Sequence, residues 1–253
     1  IINKFNNMIR EKILFQNENN HLWDLMHNNT SLDRYPCEYL VKFINFINQK
    51  SNNNDLCSLD IGFGDIANLK MCQEIGYQAF GIEVSDVAVK KAIEKFKTFE
   101  SSPKLSLFSP PKLPFENEKF NLIYSLQAIY YNIEFEKMIS EIYRVMKPGG
   151  ALFLTFFSPK HWYFNHSSFL SKDIVVWDET HPTKGLRGLK LRYFNSKKTL
   201  GNLFSKFKNI RIDDFYTNML GIEFDLWILS GFKHSDDLST FDMFKHYQNI
   251  EKS

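Results

Sequence analysis

The sequence predicts an α/β fold in which a parallel sheet is covered by helices on both faces. Three observations carry this. From residue 56 onward strand-like and helix-like runs alternate, the strand-like runs are apolar throughout rather than every second residue, and the first of them ends in a glycine turn that opens a helix. At 253 residues, 43% hydrophobic and 24% charged, the chain is long enough to bury such a core. Fibrous, collagen-like and wholly disordered chains are excluded by the same composition.

Residues 1–50 read as an N-terminal helical cover: the run NKFNNMIREKILFQ, a polar break, then YPCEYLVKFINFIN, where Tyr39, Leu40, Phe43, Ile44 and Ile47 share one face. Residues 51–253 form the main domain, opened by a polar linker over 51–55. The strand LCSLDI at 56–61 is followed by the helix ANLKMCQEIG, stopped by Gly76, and by the strand YQAFGIEV at 77–84. Ser85 is placed to cap the helix DVAVKKAIEKFKTF, because its hydroxyl can accept from an otherwise orphaned amide of the first turn. KLSLFS is a third strand and FNLIYSL a fourth. The amphipathic helix EFEKMISEIYRVM ends at Lys147-Pro148-Gly149-Gly150, and ALFLTFFS is a fifth strand.

Beyond residue 158 the rhythm changes. Residues 159–195 are rich in aromatics, His and Pro, follow neither period, and read as an insertion or lid. SKKTLGNLFSKF is a helix, and NIRIDDFYTN with FDLWILSGFK form a closing pair of strands; residues 234–253 are a polar, peripheral tail. Cys37, Cys57 and Cys72 form no CxxC pair, so neither disulfide scaffolding nor a structural metal is expected. Apolar stretches fall short of the roughly 20 residues that span a bilayer, and residues 1–12 lack a secretory apolar core, so the expected location is cytoplasmic without membrane insertion.

The chemistry concentrates in LDIGFGDIA. Asp60, Gly62 and Gly64 sit where the first strand turns into a helix, and glycines there let the backbone approach a ligand while helix amides remain free to bind it. Glu83, at the end of the second strand and 19 residues beyond Gly64, is placed to accept both hydroxyls of an adenosine ribose. The pair points to a nucleoside cofactor. Gly62-x-Gly64-x-x-Ala67 also satisfies a dinucleotide pattern, so the turn alone leaves a nicotinamide cofactor open.

From about residue 55 to 233 the sequence resembles the class I S-adenosylmethionine-dependent methyltransferases, of small-molecule type. The carrying segments are LDIGFGDIANL, GIEVSDVAVKKA, LPFENEKFNLIYSLQAIYYN, ISEIYRVMKPGGALFLTFF and LRYFNSKKTLGNLFSKF, in that order. The resemblance implies a Rossmann-like, doubly wound seven-stranded sheet with an antiparallel last strand, S-adenosylmethionine as cofactor and S-adenosylhomocysteine as product. It implies cofactor contacts from Asp60, Gly62, Gly64, Glu83, Val84, Ser109, Ser125 and Leu126. Ile66 replaces the usual third glycine, Phe63 a frequent Cys, and residues 109–111 a common Asp-Ala pair. These departures keep an inactive, cofactor-binding scaffold as an alternative.

An activated sulfonium leaves the protein mainly the task of aligning an acceptor, with a base required only for a weakly acidic hydroxyl. Tyr130 and Tyr131 after the fourth strand and His161 after the fifth are the catalytic candidates, with His166 and His181 as further possible bases; Trp162, His181, Arg187 and Arg192 are the acceptor-binding candidates. Ser125-Leu126-Gln127-Ala128 stands where nucleic-acid adenine methylases carry Asn/Asp-Pro-Pro-aromatic, so DNA is not the expected partner. Cys37 precedes the cofactor motif and is read as a packing residue.

Charge sharpens the acceptor. The chain is +2 overall, from 31 basic and 29 acidic residues, but residues 180–212 hold nine Lys or Arg and no acid, leaving 22 basic against 29 acidic elsewhere. An oxygen on a phosphate, phosphoramidate or sugar-nucleotide intermediate, of the kind surface-polysaccharide synthesis uses, is the expected acceptor, anchored by bidentate Arg187 and Arg192. RNA is the rival, disfavoured by the small net charge. The sequence leaves the oligomeric state open.

Overall fold

The computed structural model describes residues 2–29, 35–48, 56–219 and 221–234. Two helices, α1 (Ile2–Asn28) and α2 (Glu38–Asn48), precede the alternating core: β1 (Cys57–Ile61), α3 (Ala67–Glu74), β2 (Gln78–Glu83), α4 (Asp86–Phe96), β3 (Lys104–Leu107), β4 (Phe120–Leu126), α5 (Phe135–Val145) and β5 (Met146–Phe157). Three short strands follow, β6 (Ser167–Ser171), β7 (Ile174–Trp177) and β8 (Lys190–Arg192). The helix α6 (Lys197–Leu203) and the hairpin β9 (Lys208–Met219) and β10 (Ile222–Phe232) close the fold.

The main sheet has seven strands in the order β3-β2-β1-β4-β5-β10-β9. Every pair from β3 to β5 is parallel, while β10 runs antiparallel to both β5 and β9. The apolar strands are explained by cover on both faces. Leu152, Leu154 and Phe156 of β5 pack with Phe135, Ile139 and Ile142 of α5, whereas Ala151 and Phe153 pack with Leu40 and Ile44 of α2, Leu69 of α3 and Phe96 of α4. Each such fully buried Leu or Phe contributes about 1.5–3 kcal/mol.

Local signals hold where the chemistry is local. Ser85 caps α4, its Oγ accepting from the Ala88 amide at 3.2 Å, with Asp86 in the first turn and Lys95 in the last, as the helix dipole favours. Gly76 terminates α3 in the left-handed region, φ 98°. Phe135, Met138, Ile139, Ile142 and Val145 make the buried stripe of α5 at three-to-four spacing.

Three expectations are corrected. The polar break read between residues 16 and 35 starts later than expected: α1 continues unbroken to Asn28. Asn19 is fully buried there, its Nδ2 donating to the Lys190 and Tyr131 carbonyls at 2.8 and 3.2 Å and its Oδ1 accepting from the Lys190 amide at 3.0 Å, so a tertiary partner satisfies the residue that looked like a breaker. Residues 159–195 are not irregular. They form an antiparallel sheet ordered β6-β7-β8, with 3₁₀ turns at Trp162–His166 and Lys184–Leu186. Its strands are short and bury only Val175, Trp177 and Leu191, too few residues for a readable period. The fifth strand begins at Met146 rather than after Gly150, because Met146 already pairs with Phe120 and the register shifts before Ala151.

The linker at 51–55 and all of the tail beyond His234 lie outside the described residues. Among the described residues no helix is long and apolar enough to cross a membrane, no cluster of His, Cys, Asp or Glu is arranged to hold a metal ion, and the three cysteines are free thiols.

Candidate functional site

A cavity of about 620 Å³ opens over the C-terminal ends of β1, β2 and β4 and is roofed by α1 and the insertion. This is where the parallel strands of an α/β sheet leave their turns free to meet a ligand. Of the sequence-derived residues, Asp60, Gly62, Gly64, Glu83, Val84, Leu126 and Tyr131 line it.

The floor is built from backbone. Gly62 adopts φ 73°, and a Cβ at this position would lie 2.4 Å from the Ala128 Cβ. The turns after β1 and β4 thus touch only because residue 62 has no side chain. Glu83 ties the glycine turn to its own strand end: Oε2 accepts from the Gly64 amide at 3.0 Å, and Oε1 from the Val84 and Ser85 amides at 2.7 and 3.4 Å. Burial pushes its carboxyl above the usual range, and these three amides oppose the shift. Asp60 is held well above the usual range, first by burial and then by the charges of Asp65 and Glu83, with a Tyr124 hydrogen bond opposing; its Oδ2 is buried without a partner. At the end of β4, Gln127 takes the left-handed conformation, φ 56°, with its amide donating to Thr155 Oγ1 at 2.9 Å. A side-chain-bearing residue held there is local strain of about 1–3 kcal/mol at the cavity floor.

Other sequence candidates lie elsewhere. Ser125 is fully buried, its hydroxyl donating to the Ile61 carbonyl at 2.7 Å, so it braces β1 against β4 rather than facing the cavity. Ser109 is not on the wall, although its neighbours Phe108 and Pro110 are. Tyr130 is packed in the core, 5.6 and 5.8 Å from the Phe156 and Phe157 rings, with its hydroxyl unpartnered. Tyr131 reaches the cavity, its hydroxyl accepting from Trp177 Nε1 at 3.2 Å, and burial raises its pKa.

His161 stands behind the wall, 4.2 Å from the Phe157 ring. Its Nδ1 accepts from the Tyr163 amide at 3.2 Å, and burial pulls its pKa down to about 4, which keeps the imidazole neutral. His181 is likewise buried, with Nδ1 against Thr183 and its pKa lowered by burial. Trp162 stacks on His161, away from the cavity. His166 is also off the wall, its Nδ1 beside Thr180 Oγ1 at 2.9 Å. Neither arginine lines the cavity. The Arg187 Nε donates to the His181 carbonyl at 2.8 Å, and Arg192 pairs with Glu136 at 2.7 Å and Asp173 at 3.2 Å. Within the acid-free stretch Lys190, Arg192, Lys197 and Arg211 pair with carboxylates outside it.

Several wall residues escaped the sequence reading: Trp23 and His27 on α1, Tyr39 on α2, Tyr163 in the insertion and Phe224 on β10. Polar contacts position helix α1. Asn19 grips β8, Asp24 Oδ1 accepts from Ser85 Oγ at 2.6 Å and from the Val87 amide at 3.3 Å, and Lys91 donates to the Asn28 carbonyl at 3.1 Å. The one available signal was the aromatic content of these segments, which does not say where a ring points.

Known proteins share this arrangement. Residues 59–154 match a family model described as a methyltransferase domain. The phosphoethanolamine N-methyltransferase 2 of Caenorhabditis elegans is 25% identical over 144 residues, covering 52% of this chain and 33% of that protein. A sterol 24-C-methyltransferase of Clavispora lusitaniae is 30% identical over 110 residues, covering 42% and 29%. The matched stretches therefore span about a third of these relatives' own length. A SAM-dependent methyltransferase structure from Methanosarcina mazei superposes with a TM-score of 0.60 at 17% identity, covering 80% of this chain and all of that one. The matched stretch holds the glycine turn, the strand-end acid and the turn after β4 on one cavity, so residues 59–154 resemble a methyltransferase domain, in a fold shared with a SAM-dependent methyltransferase.

Proposed function

We propose that this protein transfers the methyl group of S-adenosylmethionine to a small-molecule acceptor held beside it in the same cavity. The carrying observation is continuity: the Gly62–Gly64 turn, Glu83 and the turn after β4 share one cavity with an aromatic wall supplied by α1, the insertion and β10. The residues fit the cofactor. Gly62 leaves bare backbone at the floor, the Asp60 Oδ2 is a buried acceptor without a protein donor, and the Glu83 carboxylate lies on the wall. Asp60, Gly62, Gly64, Glu83, Val84 and Leu126 would hold it.

Bound there, the sulfonium supplies an activated methyl group that an acceptor nucleophile takes up in one displacement. The chain's own part is alignment and exclusion of water. Trp23, Met26 and His27 of α1 close the cavity from above, and Gln127 and Ala128 fix its floor. Of the sequence candidates none stands as a base against the acceptor space: Tyr130 is in the core, His161 and His181 are behind the wall, and the Tyr131 hydroxyl is raised in pKa by burial. The imidazole on the wall is that of His27.

The activities in the relatives' names, on phosphoethanolamine and on sterols, support a small-molecule acceptor. An oxygen-centred anion held by Arg187 and Arg192 draws no support from the cavity, which neither residue reaches. RNA is opposed by the roof of α1 over the site. Calorimetry with S-adenosylmethionine and S-adenosylhomocysteine tests the cofactor, and S-adenosylhomocysteine release on an acceptor panel tests turnover. Glu83→Ala should weaken S-adenosylhomocysteine by at least about tenfold, the loss of a charge-assisted contact. Unchanged affinity in that folded variant refutes the site; binding without turnover on any acceptor supports a scaffold instead.

A further inference from the structure

The rings that line the cavity include Trp23, Tyr39, Tyr131, Phe157, Tyr163 and Phe224, drawn from distant parts of the chain. They are set at angles to one another. Trp23 meets Tyr131 edge-on, with centroids 5.0 Å apart and planes at 89°, and Phe157 meets Tyr163 at 5.3 Å and 62°. Among the described residues no Lys or Arg lines the cavity, and its acidic groups are Asp60, Asp65 and Glu83. Arg192 is committed to Glu136 and Asp173, Lys190 to Glu18, and Arg187 donates to the His181 carbonyl.

This lining discriminates between acceptor charges. An anion entering it would give up hydration for a wall of aromatic rings with no Lys or Arg beside it, a large desolvation cost. A cation would meet the negative faces of aromatic rings, which stabilise it most when it is desolvated.

We infer that the acceptor is an amine on an apolar body and that the aromatic wall is a cage for the ammonium formed from it. This rests on the methyltransferase reading and extends it from a reaction to a substrate class. The neutral amine's lone pair forms the new N–C bond, the C–S electron pair stays with sulfur, and any proton remaining on the methylated nitrogen leaves to water. Positive charge passes from sulfur to nitrogen within the same cage, and no side-chain base is required.

The test is titration calorimetry on the full chain loaded with S-adenosylhomocysteine, using benzyltrimethylammonium against phenyl phosphate as probes of similar size and opposite charge. The ammonium should bind about tenfold or more tightly than the phosphate, and Trp23→Leu and Phe224→Leu should each weaken it about fivefold while S-adenosylhomocysteine affinity holds. Phe224→Leu decides the matter if Trp23→Leu disturbs α1, and Trp23→Phe should restore most of the affinity. Equal or tighter binding of phenyl phosphate, no binding of either probe, or unchanged ammonium affinity in the variants overturns the inference and leaves the methyltransferase reading standing. Failure of S-adenosylhomocysteine to bind the unmodified chain overturns both.

Discussion

Gly62→Ala isolates the contact on which the cavity floor depends. Residue 62 sits at φ 73°, and the added Cβ would approach the Ala128 Cβ to 2.4 Å, a separation real Cβ atoms essentially never show. Two costs follow. Left-handed backbone on a residue with a Cβ costs roughly 1–2 kcal/mol, and the overpacking, which the turn after β4 must relieve by moving, costs about 1–3 kcal/mol more. Gly76 separates them, because it has φ 98° with nothing within 4 Å of its would-be Cβ. Gly76→Ala should therefore lose only the first term in urea unfolding, roughly 1–2 kcal/mol, and keep its S-adenosylhomocysteine affinity. Gly62→Ala should lose about 2–5 kcal/mol, and calorimetry should show its affinity reduced by about tenfold or more as Gln127 and Ala128 shift. Equal stability and equal affinity in the two variants would refute the role assigned to the contact between the two turns.

Asp60→Asn should stabilise the ligand-free protein at neutral pH. The folded carboxyl is raised above its unfolded value, so its contribution is fully present below the ordinary carboxyl range and is lost as pH rises through the raised value. Melting curves from acid to neutral pH should fall in the unmodified protein relative to the Asn variant, while the variant binds S-adenosylhomocysteine less tightly; parallel curves would contradict the shift. Asn19→Ala leaves the Tyr131 and Lys190 backbone groups without their partner, so it should cost about 1–3 kcal/mol and speed hydrogen exchange across α1 ahead of the sheet. Arg192→Met should change stability by no more than about 1 kcal/mol, because its carboxylate partners are partly exposed, and should leave ligand affinity unaltered. A large affinity loss in that variant would return Arg192 to the acceptor site.

The sequence by itself determined the architecture, since the evidence for it is local. Strands buried on both faces must be apolar throughout, Ser85 caps α4 through its own first turn, and Gly62 and Gly76 are forced by backbone angles that other residues resist. The closing hairpin of β9 and β10 was legible because its two strands are neighbours in the chain. Asp60, Gly62, Gly64 and Glu83 came to one cavity for the same reason: each stands at the end of a strand, and strand ends in a parallel sheet share an edge.

Tertiary structure alone decided the acceptor side. Trp23, Tyr131, Tyr163 and Phe224 are separated by tens of residues or more, and each has the composition of a core residue; only the docking of α1 and the insertion turns those rings toward one cavity. The same holds for charge. The basic stretch suggested an anion site as long as its contacts were unknown, and the fold supplies several: Glu136 and Asp173 to Arg192, Glu18 to Lys190, and the His181 carbonyl to Arg187. A side chain's type is written in the sequence, but its charge balance and its exposure belong to whatever packs beside it, and that is fixed by contacts between residues far apart in the chain.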